Sequence, residues 1–148
     1  MEMILVVEDE YGNAEILQLL LEAEGYRVAV ASNGQEALDI LQNGEKPSLI
    51  LSDFMMPVMN GGELGQALSQ DRALSQIPFI FMSGTSQDIV RRAFSGYDAF
   101  LVKPIEFDSL LLVVKRLLAQ GQAPRAANGQ VEESMRHLLK GIHMPSRD

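Results

Sequence analysis

Five polar residues stand out because each directly follows a short apolar run. ILVV (4–7) leads into Glu8 and Asp9, LILS (49–52) into Asp53, FIFM (79–82) into Ser83, and AFLV (99–102) into Lys103. If these runs are neighbouring strands, three carboxylates, a hydroxyl and an ammonium meet at one sheet edge. Crowded carboxylates repel one another, so such a cluster is stable only when protons or a cation compensate it. A hard divalent ion fits best, and Mg2+ accepts carboxylate, carbonyl and phosphate oxygens while retaining waters. An aspartate beside such an ion, a lysine and a hydroxyl donor has what phosphoryl transfer requires, namely positioning and stabilisation of charge on the transferring oxygens. Asp53 is then the candidate nucleophile.

The elements that must position these groups are legible along the chain. Strands are expected at 4–7, 26–31, 48–52, 79–82 and 99–102. Helices are expected at 14–23, from the Ser32-Asn33-Gly34 start to 42, and at 63–69, 87–94 and 106–119. Between Ala14 and Ala23 the apolar Ile16, Leu17, Leu19, Leu20 and Leu21 alternate with Glu15, Gln18 and Glu22 at helical spacing, and Gly25 stops the run. Five strands alternating with five helices through short loops predict right-handed crossovers and an α/β fold, a doubly wound five-stranded parallel sheet. The strand interiors are continuously apolar, as a sheet covered on both faces requires. In such sheets the ligand site lies beyond the carboxyl ends of the strands, which is where the five polar residues fall.

Together the segments ILVVEDE, LILSDFMMPVMNGGEL, FIFMSG and AFLVKP resemble those of the response-regulator receiver domain of two-component signalling, over residues 3–119. Asn33, Gly34, Glu36 and Ala37 are also similar to that family's second helix start. The resemblance implies a flavodoxin-like strand order 2-1-3-4-5, with Asp53 accepting a phosphoryl group from a sensor histidine kinase or a histidine-phosphotransfer protein. It implies that Glu8, Asp9, Asp53 and the backbone carbonyl of Met55 hold Mg2+. Ser83 and Lys103 would contact the phosphoryl oxygens, Phe100 would be the switch aromatic, and the bond before Pro104 would be cis. Glu8 stands where the family often has aspartate, one methylene shorter. Met55 offers no polar side chain beside the attacking water, and Phe100 lacks a tyrosine hydroxyl.

The composition sets the outer bounds. The 148 residues contain no cysteine, which excludes disulfides and thiolate metal sites. A formal charge of −8, with net −9 over residues 1–120, opposes nonspecific attraction to nucleic acid or anionic membrane. No apolar run approaches the roughly 20 residues that span a bilayer, and the acid-flanked N-terminus is no signal peptide, so a cytoplasmic protein is expected.

The expected organisation is a domain at 1–119, a linker at 120–129 and a tail at 130–148. In the tail Val131, Met135, Leu138, Leu139 and Ile142 share one face of a short helix suited to docking or dimerising. His137 points away from that face, and HLLKG (137–141) resembles a histidine-phosphotransfer motif. Too few residues follow 119 for an output domain, so an unknown output partner, or a homodimer, is expected to carry the signal. On α5 the core face is expected to comprise Phe107, Leu110, Leu111, Val114, Leu117 and Leu118, with Leu112 and Val113 outside it. Competing readings are an interaction module that is never phosphorylated, an aspartyl-phosphate phosphatase, and an FMN-binding flavodoxin. The phosphatase would need a second acid at position 55, where Met55 stands. The flavodoxin would suffer repulsion of the FMN phosphate by Glu8 and Asp9.

Overall fold

The computed structural model describes residues 2–120 and the paired backbone of Ile142–His143. Strands β1 (Met3–Val7), β2 (Arg27–Ala31), β3 (Leu49–Asp53), β4 (Phe79–Ser83) and β5 (Ala99–Val102) alternate with five helices. These are α1 (Tyr11–Ala23), α2 (Gly34–Gln42), α3 (Gly61–Ser69), α4 (Gln87–Ala93) and α5 (Phe107–Gln120). The five strands are parallel in the order β2-β1-β3-β4-β5, as the resemblance implied.

A sixth strand, β6 (Ile142–His143), lies antiparallel along the outer edge of β5. This corrects one expectation, because Ile142 was read as the end of an amphipathic helix and stands in a strand. The rest of the expected tail helix, with His137, and residues 121–129 of the expected linker lie outside the described residues.

Alternation along each strand builds two apolar cores. Ile4, Val6, Leu49, Leu51, Ile80, Met82, Ala99 and Leu101 face α1 and α5, where they meet Leu17, Leu21, Leu110 and Val114. Leu5, Val7, Ile50, Phe79, Phe81 and Phe100 face the other way, against Ala37, Leu64 and Val90 of α2, α3 and α4. Strands β1, β3 and β4 are buried along their whole length, which explains why they read as unbroken apolar runs.

Two helices sit differently from their sequence pattern. On α5, Val113 is fully buried and belongs to the core face, whereas Phe107 and Leu111 are only partly buried. The buried set Leu110, Val113, Val114 and Leu117 follows the i, i+3, i+4, i+7 stripe of a single helix face. Leu112 is exposed as expected. α1 begins at Tyr11, a turn earlier than its apolar pattern, because Glu10 occupies the cap position in extended conformation without a side-chain cap bond. It buries Ala14, Leu17 and Leu21 and leaves Ile16, Leu19 and Leu20 outward.

The loop after β3 is anchored at the start of α3. Asn60 Oδ1 accepts the Glu63 N–H at 2.8 Å, and Glu63 Oε1 accepts the Asn60 N–H at 3.0 Å, a reciprocal cap. Gly61 then packs directly on the end of β3, where its N–H donates to the Phe54 carbonyl at 2.8 Å. A Cβ at Gly61 would press on the Asp53 carbonyl oxygen and come within 2.7 Å of the Phe81 ring. Alanine normally gains roughly 1 kcal/mol over glycine inside a helix. Here overpacking costs more, because a backbone carbonyl and a ring wedged among Phe54, Phe79 and Tyr97 cannot step aside. Gly61→Ala is therefore expected to destabilise the fold by about 1–3 kcal/mol in urea denaturation. Unchanged or increased stability would show that the β3–α3 junction has slack.

Candidate functional site

The carboxyl ends of β1, β3, β4 and β5 meet at one edge. Parallel register places Val7 beside Ser52 and Asp53 beside Met82, so Glu8 and Asp9 leave β1 next to the end of β3. Carboxylate oxygens of Glu8, Asp9 and Asp53 lie within 4.8 Å of one another, a spacing that one metal ion can bridge. Glu8 and Asp53 are buried, and Asp9 is exposed at the mouth. Glu8 is fixed by its backbone as well, since its N–H donates to the Ala31 carbonyl at 2.9 Å.

Lys103 closes the cluster from β5. Its Nζ donates to Asp53 Oδ2 at 2.8 Å and to Glu8 Oε2 at 3.5 Å. Burial works to lower the Lys103 pKa, but the hydrogen bond to Asp53 and the charges of Asp53 and Glu8 outweigh it and raise the pKa above the usual lysine value. Lys103 is therefore a permanent cation here. Glu8 is pushed up from 4.5 to about 7, first by burial and then by the Asp53 charge, with Lys103 opposing. One ammonium does not compensate three carboxylates, and Glu8 is the group that takes up a proton. That residual negative charge and the all-oxygen donor set suit a hard divalent cation.

Ser83 stands one residue beyond the Met82 partner of Asp53 and is buried. Its Oγ accepts the Thr85 N–H at 2.8 Å, while its carbonyl accepts the Lys103 N–H at 3.0 Å. The first bond orients the hydroxyl and leaves its proton free to be donated. Thr85 was not singled out in the sequence; the short Ser83-Gly84-Thr85 turn after an apolar strand was its only signal. Lys103 and Pro104 are joined by the cis bond that the resemblance implied.

Two further sequence candidates lie on β5 and in the loop after β3. Phe100 is buried among Phe81 and Tyr97, on the sheet face opposite Leu101, with the Tyr97 ring 6.0 Å away. Met55 lies in the loop after β3 with its side chain largely in solvent. That loop also holds Val58 at φ 68°, a left-handed conformation that is rare for a β-branched residue.

Beside the acids opens a groove of about 580 Å³, lined by Glu8 and Lys103 together with Ile16, Leu20, Ile105 and Phe107. The helical spacing of the α1 apolar residues did not tell those that enter the core from those that line this groove.

The family model for the response regulator receiver domain matches residues 4–115. Among curated proteins, the chain is 36% identical to response regulator Rre1 of Synechocystis over 97% of its own length and 65% of the relative's. It is 35% identical to a CpxR homolog of Haemophilus influenzae, a transcriptional regulatory protein, over 89% of its own length and 57% of the relative's. The chain thus spans less than two thirds of these relatives. Among solved structures, it superposes on the signal receiver domain of a histidine kinase from Syntrophus aciditrophicus with TM-score 0.75 and 39% identity, covering 80% of this chain and 91% of that one. It superposes on response regulator TrrA of Thermotoga maritima, solved with Mg2+ and BeF, with TM-score 0.71 and 32% identity, covering 79% and 99%. Sequence and fold agree with the acid-lined strand edge: the chain belongs to the response regulator receiver domain family.

Proposed function

We propose that Asp53 accepts a phosphoryl group from a phosphohistidine of a sensor histidine kinase or a histidine-phosphotransfer protein, and that the chain is a phosphoacceptor signalling domain. The observation that carries this reading is the Lys103 ammonium 2.8 Å from Asp53 inside a three-carboxylate cluster. A carboxylate oxygen of Asp53 attacks phosphorus, the P–N bond to the donor imidazole breaks, and the imidazole leaves with the electron pair. The product is an aspartyl phosphate. Lys103 pairs with a phosphoryl oxygen, and the Ser83 hydroxyl donates to another while Thr85 holds its oxygen.

Mg2+, held by Glu8, Asp9, Asp53 and the Met55 carbonyl, would neutralise charge on the phosphoryl oxygens. The extra methylene of Glu8 suits a contact through water. The Mg2+ and BeF bound by the Thermotoga relative support the same chemistry here. Phe100 has no hydroxyl to exchange, so any response at its position is read by packing against Tyr97 and Phe81. Among the described residues no helix is long and apolar enough to cross a membrane, in keeping with signalling in the cytoplasm.

Asp53→Asn keeps the shape but loses the nucleophilic charge. With acetyl phosphate and Mg2+, the parent should gain one alkali-labile phosphoryl group in intact-mass measurement and Asp53→Asn none. Equal labelling of the variant would remove Asp53 as the acceptor, and no labelling of either would favour a module that signals by contact alone.

The groove between α1 and the segment after Lys103 leads to the acids and offers an apolar wall to a helical donor. Leu20→Glu should slow transfer from a phosphorylated histidine protein by about tenfold or more, as loss of a central apolar contact does. Acetyl phosphate, which needs no docking surface, is the control. Unchanged transfer from the protein donor would place docking elsewhere.

A further inference from the structure

An open sheet has two edges, and in this fold they are guarded unequally. The β2 edge begins with Arg27, a charged residue paired with Glu45 at 2.7 Å. The β5 sequence, Ala99-Phe100-Leu101-Val102, has neither charge nor proline, and Val102 is about half exposed. An uncharged apolar edge with unpaired backbone groups is a template for pairing with another chain. In this protein it is not left open: Ile142 lies opposite Leu101 and His143 opposite Phe100, antiparallel.

We propose that the outer edge of β5 is a strand-acceptor surface whose resident occupant is Ile142–His143 of the same chain, a capping strand that keeps this edge from pairing with a second copy. Three features support the assignment. Residues 121–141 join α5 to β6, and that many residues suffice to reach the β5 edge, since extended chain spans up to about 3.3 Å per residue. Tethering gives the segment an effective concentration on the order of millimolar, which favours the resident strand over a free one. Pro145, two residues after His143 in the sequence, has no N–H to donate to a ladder. A two-residue strand has few hydrogen bonds, so the cap is exchangeable. The surface thus recognises extended main chain, an inference that does not rest on the phosphorylation of Asp53.

Hydrogen exchange read by mass spectrometry on the full chain tests the proposal, comparing the parent with Ile142→Pro and His143→Pro. Far-UV circular dichroism verifies the fold of each variant. In an antiparallel pair adjacent residues point their N–H groups to opposite sides. One proline therefore removes the donor facing β5, while the other replaces an outward N–H and is tolerated. The disruptive variant should expose about one additional fast-exchanging amide in the peptide covering β5. It should also show a sedimentation mass that rises with protein concentration, while the parent stays constant in both readouts. Equal β5 exchange in all three proteins overturns the resident strand. Protection in the parent that strengthens with concentration assigns the strand to a second copy and overturns the proposal as stated. An opened variant that remains monomeric at all concentrations overturns the guarding role.

Discussion

The structure is organised around one unfavourable interaction, the crowding of Glu8 and Asp53 with Asp9 at the end of the sheet. At the separations found here, Glu8 and Asp53 repel by about 3 kcal/mol or more at an effective dielectric of about 20. Lys103 relieves part of this by holding both. Burial, together with the repulsion from Asp53 that remains, pushes the Glu8 carboxyl up to about 7. A site in that condition is poised for a cation, which would offset the residual negative charge and let a phosphoryl group approach the acids.

Such crowding persists only because the fold elsewhere is over-determined. Glu8, Asp53, Ser83 and Lys103 end or directly follow strands whose interiors are buried on both faces, so none can retreat without displacing a strand from two cores. Backbone bonds from Glu8 to Ala31 and from Lys103 to Ser83 fix the exits of the strands. Gly61 lets α3 start against the carbonyl of Asp53 itself. The site is therefore rigid in its backbone and soft in its charge, which suits the phosphoacceptor role proposed for it.

Much of this was legible in the sequence, for identifiable reasons. A parallel sheet buries both faces, so its strands appear as unbroken apolar runs, and the first charged or hydroxyl residue after each run marks the functional edge. What escaped depends on neighbours. The Leu-rich α1 is apolar on more than one face, and the pattern alone did not show that Ile16 and Leu20 would line a groove. Val113 was assigned to the wrong side of α5 because the pattern holds more apolar residues than one face can bury, and packing against the sheet decides among them. Ile142 fits an amphipathic helix by spacing, yet an available sheet edge overrides local pattern, as β pairing commonly does.

We propose that a divalent cation completes the acid cluster, in competition with a proton on Glu8. Calorimetric titration of Mg2+ into the unphosphorylated protein at pH 6 and pH 8 tests it directly. With Glu8 pushed up to about 7, protonation opposes the ion below that pH. Affinity should rise through neutrality and level off above it, by about tenfold between the two conditions, with proton release on binding at pH 6. Equal affinity at both pH values, with no proton released, would contradict the account.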